Sequence, residues 1–342
     1  MIKVGIIGYG YSAKIFHLPL IGDSESFQLV SISTSQNNLA KEKYPTVSIY
    51  PMAHDLIRKS EAELIVITAP NDVHYSLAKA CLEQRKHVIL EKPMVTTSSE
   101  AEELLMLAEK YGLILCVFHN RRWDGDFLTV KKIVKNNLLG DIRFFESHYD
   151  RYRPVVKNRW REQLGPGTGI WFDLGSHLLD QALCLFGMPE AITARCLPLR
   201  NNSKTTDYFH VLLHYSNCEV ILHASSFSAG PNMRFHIQGT EGSFIKYGYD
   251  PQEEQLKNGM MPSKPQFGLD NQEHFGVLYN ESKKQVIPTE NGCYKSYYSE
   301  IAKAITNSEA APVKTKDVIQ VLKLLELAEQ SSNHRKTIII KK

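Results

Sequence analysis

An apolar run at residues 3–7 breaks at Gly8-Tyr9-Gly10-Tyr11-Ser12-Ala13 and resumes as a helix-competent stretch through residue 20. Two glycines one residue apart, with a small residue three positions further on, have a narrow use between a strand and a helix. The first permits a tight turn, the second lets the backbone approach a ligand, and the small residue lets the helix close on the strand. Phosphates sit well at such a helix N-terminus, so G-x-G-x-x-A in this setting is a dinucleotide fingerprint. Gly8, Tyr9, Gly10, Tyr11 and Ala13 are expected to line a pyrophosphate.

Further apolar runs lie near residues 28–33, 46–50, 64–68, 87–91 and 113–118, most of them separated by helical periodicity over 52–59, 74–84 and 98–111. Strands that are almost continuously apolar and alternate with helices predict a parallel, doubly wound sheet, with ligands at the carboxyl ends of the strands. An α/β Rossmann domain over residues 1–120 follows. After a helical stretch at 127–137, strand patterns at 142–149, 208–215, 219–227 and 234–238 succeed one another with short turns. They predict a second, α+β domain over 121–342 with a mainly antiparallel sheet. A helix at 173–186, helices at 294–307 and 316–331, a strand at 336–341 and a long loop over 250–276 complete it.

The 342 residues suffice for two cores, and 40 basic against 37 acidic residues gives no sign of a nucleic-acid or membrane partner. Six cysteines are scattered without a C-x-x-C pair, as in a reducing compartment. A strand starting almost at Met1 leaves no room for a signal peptide, and no apolar run approaches the roughly 20 residues of a membrane span. The expected location is cytoplasmic. His210, His214 and His223 fall in paired strands, so no metal is expected. Arg151, Tyr152, Arg153, Arg159, Trp160 and Arg161 form a basic, aromatic stretch, read as a polyol-pocket wall or a subunit contact.

Several residues fall where a dinucleotide needs them. The second strand ends in Ser33-Thr34-Ser35 with no carboxylate for a ribose 2′-hydroxyl, which favours NADP while leaving NAD possible. No arginine stands near Gln36, so the preference is expected to be modest. Pro70, Asn71 and His74 follow the fourth strand, and Glu91-Lys92-Pro93 ends the fifth. Asn120, after the sixth, either bonds the cofactor or caps a loop. Lys92 is either an ordinary strand-end lysine or a group directed into the ligand crevice. In the second domain, glycine-rich residues 165–169 lead to Asp173, His177 and Asp180 at helical spacing. A carboxylate four residues before an imidazole can fix its tautomer, as a general acid/base requires. An amphipathic core helix with a polar spot is the alternative.

The G-x-G-x-x-A start, the Glu91-Lys92-Pro93 turn and G-x-x-x-D-x-G-x-H-x-x-D over residues 169–180 together resemble the Gfo/Idh/MocA family, which includes glucose-fructose oxidoreductase and inositol dehydrogenase. F-H-N-R-R-W-D at 118–124 and R-W-R-E at 159–162 are similar to the NADP-preferring scyllo-inositol dehydrogenases. The resemblance implies that Lys92 reaches a carbinol, that His177 takes its proton as hydride leaves for the nicotinamide, and that Asp173 orients the histidine. It implies a polyol or sugar substrate held by Lys92, Trp160, Asp173 and His177, and a homodimer or homotetramer. Asp180 serves either substrate or helix packing. The alternatives are a dinucleotide-binding sensor without turnover, and a dehydrogenase of another sugar or sugar acid.

Overall fold

In a computed structural model, which describes residues 1–159 and 162–341, strand β1 (Ile2–Ile7) enters a sheet buried on both faces. It is joined by β2 (Phe27–Ser33), β3 (Ser48–Tyr50), β4 (Leu64–Ile67), β5 (His87–Leu90) and β6 (Leu115–Val117). All pairs are parallel, in the order β3-β2-β1-β4-β5-β6, the doubly wound Rossmann arrangement. Every residue of β4 and β6 is buried, and each fully buried aliphatic side chain contributes about 1.5–3 kcal/mol. The helix Ser98–Tyr111 follows its sequence signals: Thr97 accepts from the Glu100 amide, and Gly112 ends it at φ 65°.

Two compact units emerge, and neither is continuous. The first joins Met1–Trp123 to Gln252–Phe267 and Cys293–Ile319; the second comprises Asp124–Pro251, Gly268–Gly292 and Gln320–Lys342. The boundary expected at residue 120 therefore marks only the first crossing. Helix Tyr294–Asn307 returns to the first unit because its apolar stripe is aromatic: Tyr297 stands edge-on to Phe118 and Trp123. Periodicity announces such a stripe without naming the core that receives it. The loop expected over 250–276 contains the helix Gln252–Lys257 and a turn at Gln272–His274.

The second unit holds a nine-stranded sheet of β7 (Ile142–His148), β8 (Ala191–Leu197), β9 (Tyr208–His214), β10 (Glu219–Ser225), β11 (Met233–Gly239), β12 (Gly242–Tyr247), β13 (Gly276–Tyr279), β14 (Lys284–Ile287) and β15 (Ile338–Ile339). The order is β14-β13-β12-β11-β7-β10-β9-β8-β15, antiparallel except at the β7–β10 seam. Strict alternation marks the core face: Phe209, Val211 and Leu213 on β9 are buried, as are Val220, Leu222 and Ala224 on β10. Strands β8 and β12–β14 carry weaker patterns. In β12 the buried position Lys246 is a charge, made tolerable by Asp270 at 2.7 Å. No helix among the described residues is long and apolar enough to cross a membrane.

Candidate active site

At the carboxyl end of β1, Gly8 adopts φ +102°, and a Cβ there would lie 2.6 Å from Thr68 Oγ1. That hydroxyl donates to the Ile7 and Gly8 carbonyls at 3.2 Å, while the Gly8 amide donates to Ser33 O at 2.9 Å. The ends of β1, β2 and β4 are thus pinned together. Nothing lies within 4 Å of a Cβ placed on Gly10, so the backbone is open to a ligand, and Ala13, which opens the π-helical turn Ala13–His17, is fully buried. Tyr9 is buried and Tyr11 exposed, its hydroxyl donating to Glu253 at 3.0 Å.

At the tip of β2, Ser33 and Thr34 are nearly buried and Ser35 is exposed. Gln36, just beyond, is held by Lys14, whose Nζ lies 3.1 Å from Gln36 Oε1 and 4.3 Å from the Tyr9 ring centroid. The cation sought in the sequence beside Gln36 therefore arrives from the first helix, 22 residues earlier. These residues fit a nicotinamide dinucleotide: an open glycine backbone for the phosphates, and hydroxyls with a cation for the adenosine ribose.

The turn after β5 is braced from two sides. Glu91 Oε2 accepts from the Lys92 amide at 3.1 Å; Oε1 accepts from the Ser12 hydroxyl and lies 3.0 Å from His17 Nε2. His17 is wholly buried, its Nδ1 2.6 Å from Tyr298 Oη and its ring packed on Phe118 at 4.4 Å. Burial raises the Glu91 carboxyl, but the His17 and Ser12 hydrogen bonds and the Lys92 charge outweigh it and hold the group at about 2. Burial keeps the Tyr298 phenol well above its ordinary value. On the other side, the buried ring of His74 lies 2.9 Å from Ala69 O and 3.0 Å from Pro93 O. It ties the loop carrying Pro70 and Asn71 to the Lys92–Pro93 peptide, which is cis, and is itself enclosed rather than presented to a ligand. Lys92 is half-buried, and Asn71 and Asn120 are nearly buried at the ends of β4 and β6. His17 and Tyr298 escaped the sequence because their partners are distant; the trace was a lone histidine in an apolar stretch, residues 15–20.

Glu91 makes stability pH-dependent with a definite sign. Its folded value lies below the ordinary 4.5, so its contribution is present above that value and fades as pH falls toward about 2. Glu91→Gln is expected to cost about 1–3 kcal/mol at neutral pH, because His17 and Ser12 lose their ionised acceptor. Urea unfolding at a series of pH values should show the gap to wild type closing between pH 4.5 and 2. A gap constant across that range would mean that the carboxylate charge is not what holds the turn.

In the second unit, the segment expected as a uniform helix from residue 173 starts as a π-helical turn, Trp171–Gly175, and continues as the α-helix Ser176–Phe186. The extra width of that turn accommodates packing. Trp171 is fully buried, donates from Nε1 to Leu325 O at 3.1 Å, and lies so close that a Cβ on Gly175 would be 2.2 Å from its ring. Gly169, at φ +80°, is hemmed in by Thr206. These two glycines serve turn and packing. Asp173 is half-exposed; His177 and Asp180 are almost fully buried. One turn beyond His177, Gln181 Oε1 accepts from Arg234 Nη2 at 2.8 Å, and the same buried guanidinium meets Asp126 at 3.0 Å, Ser147 at 2.6 Å and the Tyr149 hydroxyl at 3.1 Å. The helix bearing His177 is thereby anchored to β7 and β11. Burial and the neighbouring Arg151 and Arg159 lower the Arg153 guanidinium, and the charges of Asp173 and Glu162 pull it back. Trp160 and Arg161 lie outside the described residues.

Comparison with known proteins adds a lineage. Residues 2–119 match the oxidoreductase-family NAD-binding Rossmann fold of the GFO_IDH_MocA model, and residues 131–340 match its C-terminal alpha/beta domain. The chain is 45% identical to the uncharacterized oxidoreductase YdgJ of Escherichia coli K12, covering 99% of both chains. It is 41% identical to scyllo-inositol 2-dehydrogenase (NADP(+)) IolW of Bacillus subtilis 168, over 99% of this chain and 96% of the relative. The solved structure of the oxidoreductase YvaA of Bacillus subtilis superposes with a TM-score of 0.96 at 41% identity, covering 99% of this chain and 98% of that one.

Proposed function

Since the chain belongs to the Gfo/Idh/MocA oxidoreductase family, with an NAD-binding fold, we propose that it oxidises a ring hydroxyl of a cyclitol resembling scyllo-inositol, reversibly and with preference for NADP. The polyol part of this reading rests on the activity named for the relative at 41% identity. The NADP part rests on Lys14 beside Gln36, at a ribose rim without a carboxylate. When bound, the dinucleotide supplies the hydride acceptor at its nicotinamide ring. His177 takes the hydroxyl proton in this scheme, Asp173 orients the imidazole, and the Lys92 ammonium stabilises the developing alkoxide. Glu91, held ionised, and His74 fix the turn from which Lys92 projects. Retention of Lys92, Asp173 and His177 together speaks against a sensor without turnover.

The test is reduced-cofactor formation by the purified protein over inositol isomers, aldoses and sugar acids, with NADP and NAD in parallel. One inositol is expected to be turned over selectively, with higher kcat/KM for NADP. Lys14→Ala should lower kcat/KM with NADP by roughly tenfold, the loss of one exposed phosphate contact of about 1.4 kcal/mol, and leave the value with NAD near wild type. Higher efficiency with NAD in the wild type would sink the cofactor assignment. Silence across the panel, despite dinucleotide binding, would favour the sensor or another substrate.

A further inference from the structure

The face of the second sheet opposite its apolar core carries an unusual donor set. Glu146 and His148 on β7, Asp150 two residues past its end, His210 on β9, His223 on β10 and His236 on β11 are all half-buried there. Register brings them together: His148 is the partner of His223 across the parallel β7–β10 seam, and His210 is the partner of His223 across β9–β10. Because His148, the partner of His223 on β7, lies 75 residues earlier in the chain, chain spacing points instead to His214, which the structure engages with Thr193 and Glu219.

We propose that His148, Asp150 and His223 form a binding site for one divalent late transition ion, zinc being the type case. One donor atom from each of the three lies within 4.8 Å of the other two. His148 Nδ1 is 3.0 Å from Asp150 Oδ2, and His223 Nε2 is 3.3 Å from Asp150 Oδ1. Tetrahedral coordination at 2.0–2.1 Å places ligand atoms about 3.3–3.4 Å apart, and the two imidazoles, whose contacts at 3.0 and 3.3 Å are to different oxygens of Asp150, turn onto one of them to share the ion. The ion takes the place of the proton that His148 shares with Asp150 and releases it to solvent. The outer support such sites use is already built: His148 Nε2 lies 2.8 Å from Glu146 Oε1, and Asp150 Oδ1 accepts from the Ser225 amide at 2.8 Å. Among the described residues His223 Nδ1 is buried with no hydrogen-bond partner, which leaves Nε2, 3.3 Å from Asp150, as the nitrogen that engages the cluster. Two imidazoles and one carboxylate select zinc and its neighbours over magnesium or calcium. Water completes the coordination, and the ion staples β7 to β10 across the one seam of the sheet that is parallel.

The experiment uses full-length protein stripped with a chelator and dialysed against zinc, with bound metal counted by elemental analysis and cobalt substitution read by visible absorption. About one ion per chain and a tetrahedral cobalt spectrum are expected, with zinc but not magnesium raising the Tm. His223→Ala and Asp150→Asn should abolish all three, Glu146→Gln should weaken zinc on the order of 10- to 100-fold, and His214→Ala should leave binding intact. Circular dichroism of the stripped variants separates lost binding from lost folding, and His223→Gln replaces any variant that does not fold. Sub-stoichiometric zinc in the wild type, or unchanged stoichiometry in His223→Ala, overturns the proposal.

Discussion

Replacing His177 by alanine is expected to lower kcat by at least about 100-fold while dinucleotide affinity stays near wild type. Oxidation of a secondary alcohol removes a proton from oxygen as hydride leaves carbon, and a positioned base contributes about 100- to 10,000-fold. The side chain is almost fully buried, on a helix whose orientation is fixed twice, by Trp171 against Gly175 and by Arg234 through Gln181. Neither anchor involves the imidazole, so its truncation should remove a proton acceptor without displacing the helix. Steady-state turnover and fluorescence titration of reduced cofactor separate the two quantities. Added imidazole should recover part of the rate in the cavity left behind. Turnover within a few-fold of wild type would remove His177 from the mechanism, and equal losses in turnover and cofactor affinity would assign it a structural role.

The legible parts of the molecule are those where local chemistry suffices. Gly8 declares itself because its positive φ and the adjacent Thr68 exclude a side chain, and Gly10 because its place in the G-x-G-x-x-A pattern leaves open backbone for a phosphate to approach. The strands β4, β5 and β6 read directly because parallel strands covered on both faces are apolar throughout. What escaped depends on contacts between distant residues. Lys14 serves Gln36, and Tyr298 reaches His17 across 281 positions, so no spacing rule connects either pair. The π-helical turn at Trp171–Gly175 is set by one indole seated on one glycine, a packing event that a helical pattern does not encode. β12 failed alternation because Lys246 is buried and neutralised by Asp270, itself 24 residues on. Asp173, His177 and Lys92 stood out in the sequence as candidate chemistry, while the distant contacts that brace the turn of Lys92 and the helix of His177 did not.

Lys92→Ala is expected to cut turnover by at least about 100-fold as well, by a different route. A fixed positive donor at a developing oxyanion typically contributes about 100- to 1,000-fold, because it acts on charge that appears only in the transition state. The turn that carries Lys92 is over-determined: Glu91 grips its amide, His17 and Ser12 hold Glu91, and His74 holds Pro93. The ammonium contributes its charge to this network by helping to hold Glu91 ionised, so the variant should lose a little stability through Glu91 yet keep its fold, and the catalytic loss should appear in kcat and kcat/KM together. Lys92→Arg keeps the charge but spreads it over a larger planar group, and should recover only part of the rate. Small primary amines added to Lys92→Ala should restore activity in proportion to their concentration, an effect that a packing defect does not produce. Their failure, combined with a fall in cofactor affinity as large as the fall in rate, would make Lys92 a dinucleotide-binding group and leave His177 alone with the proton.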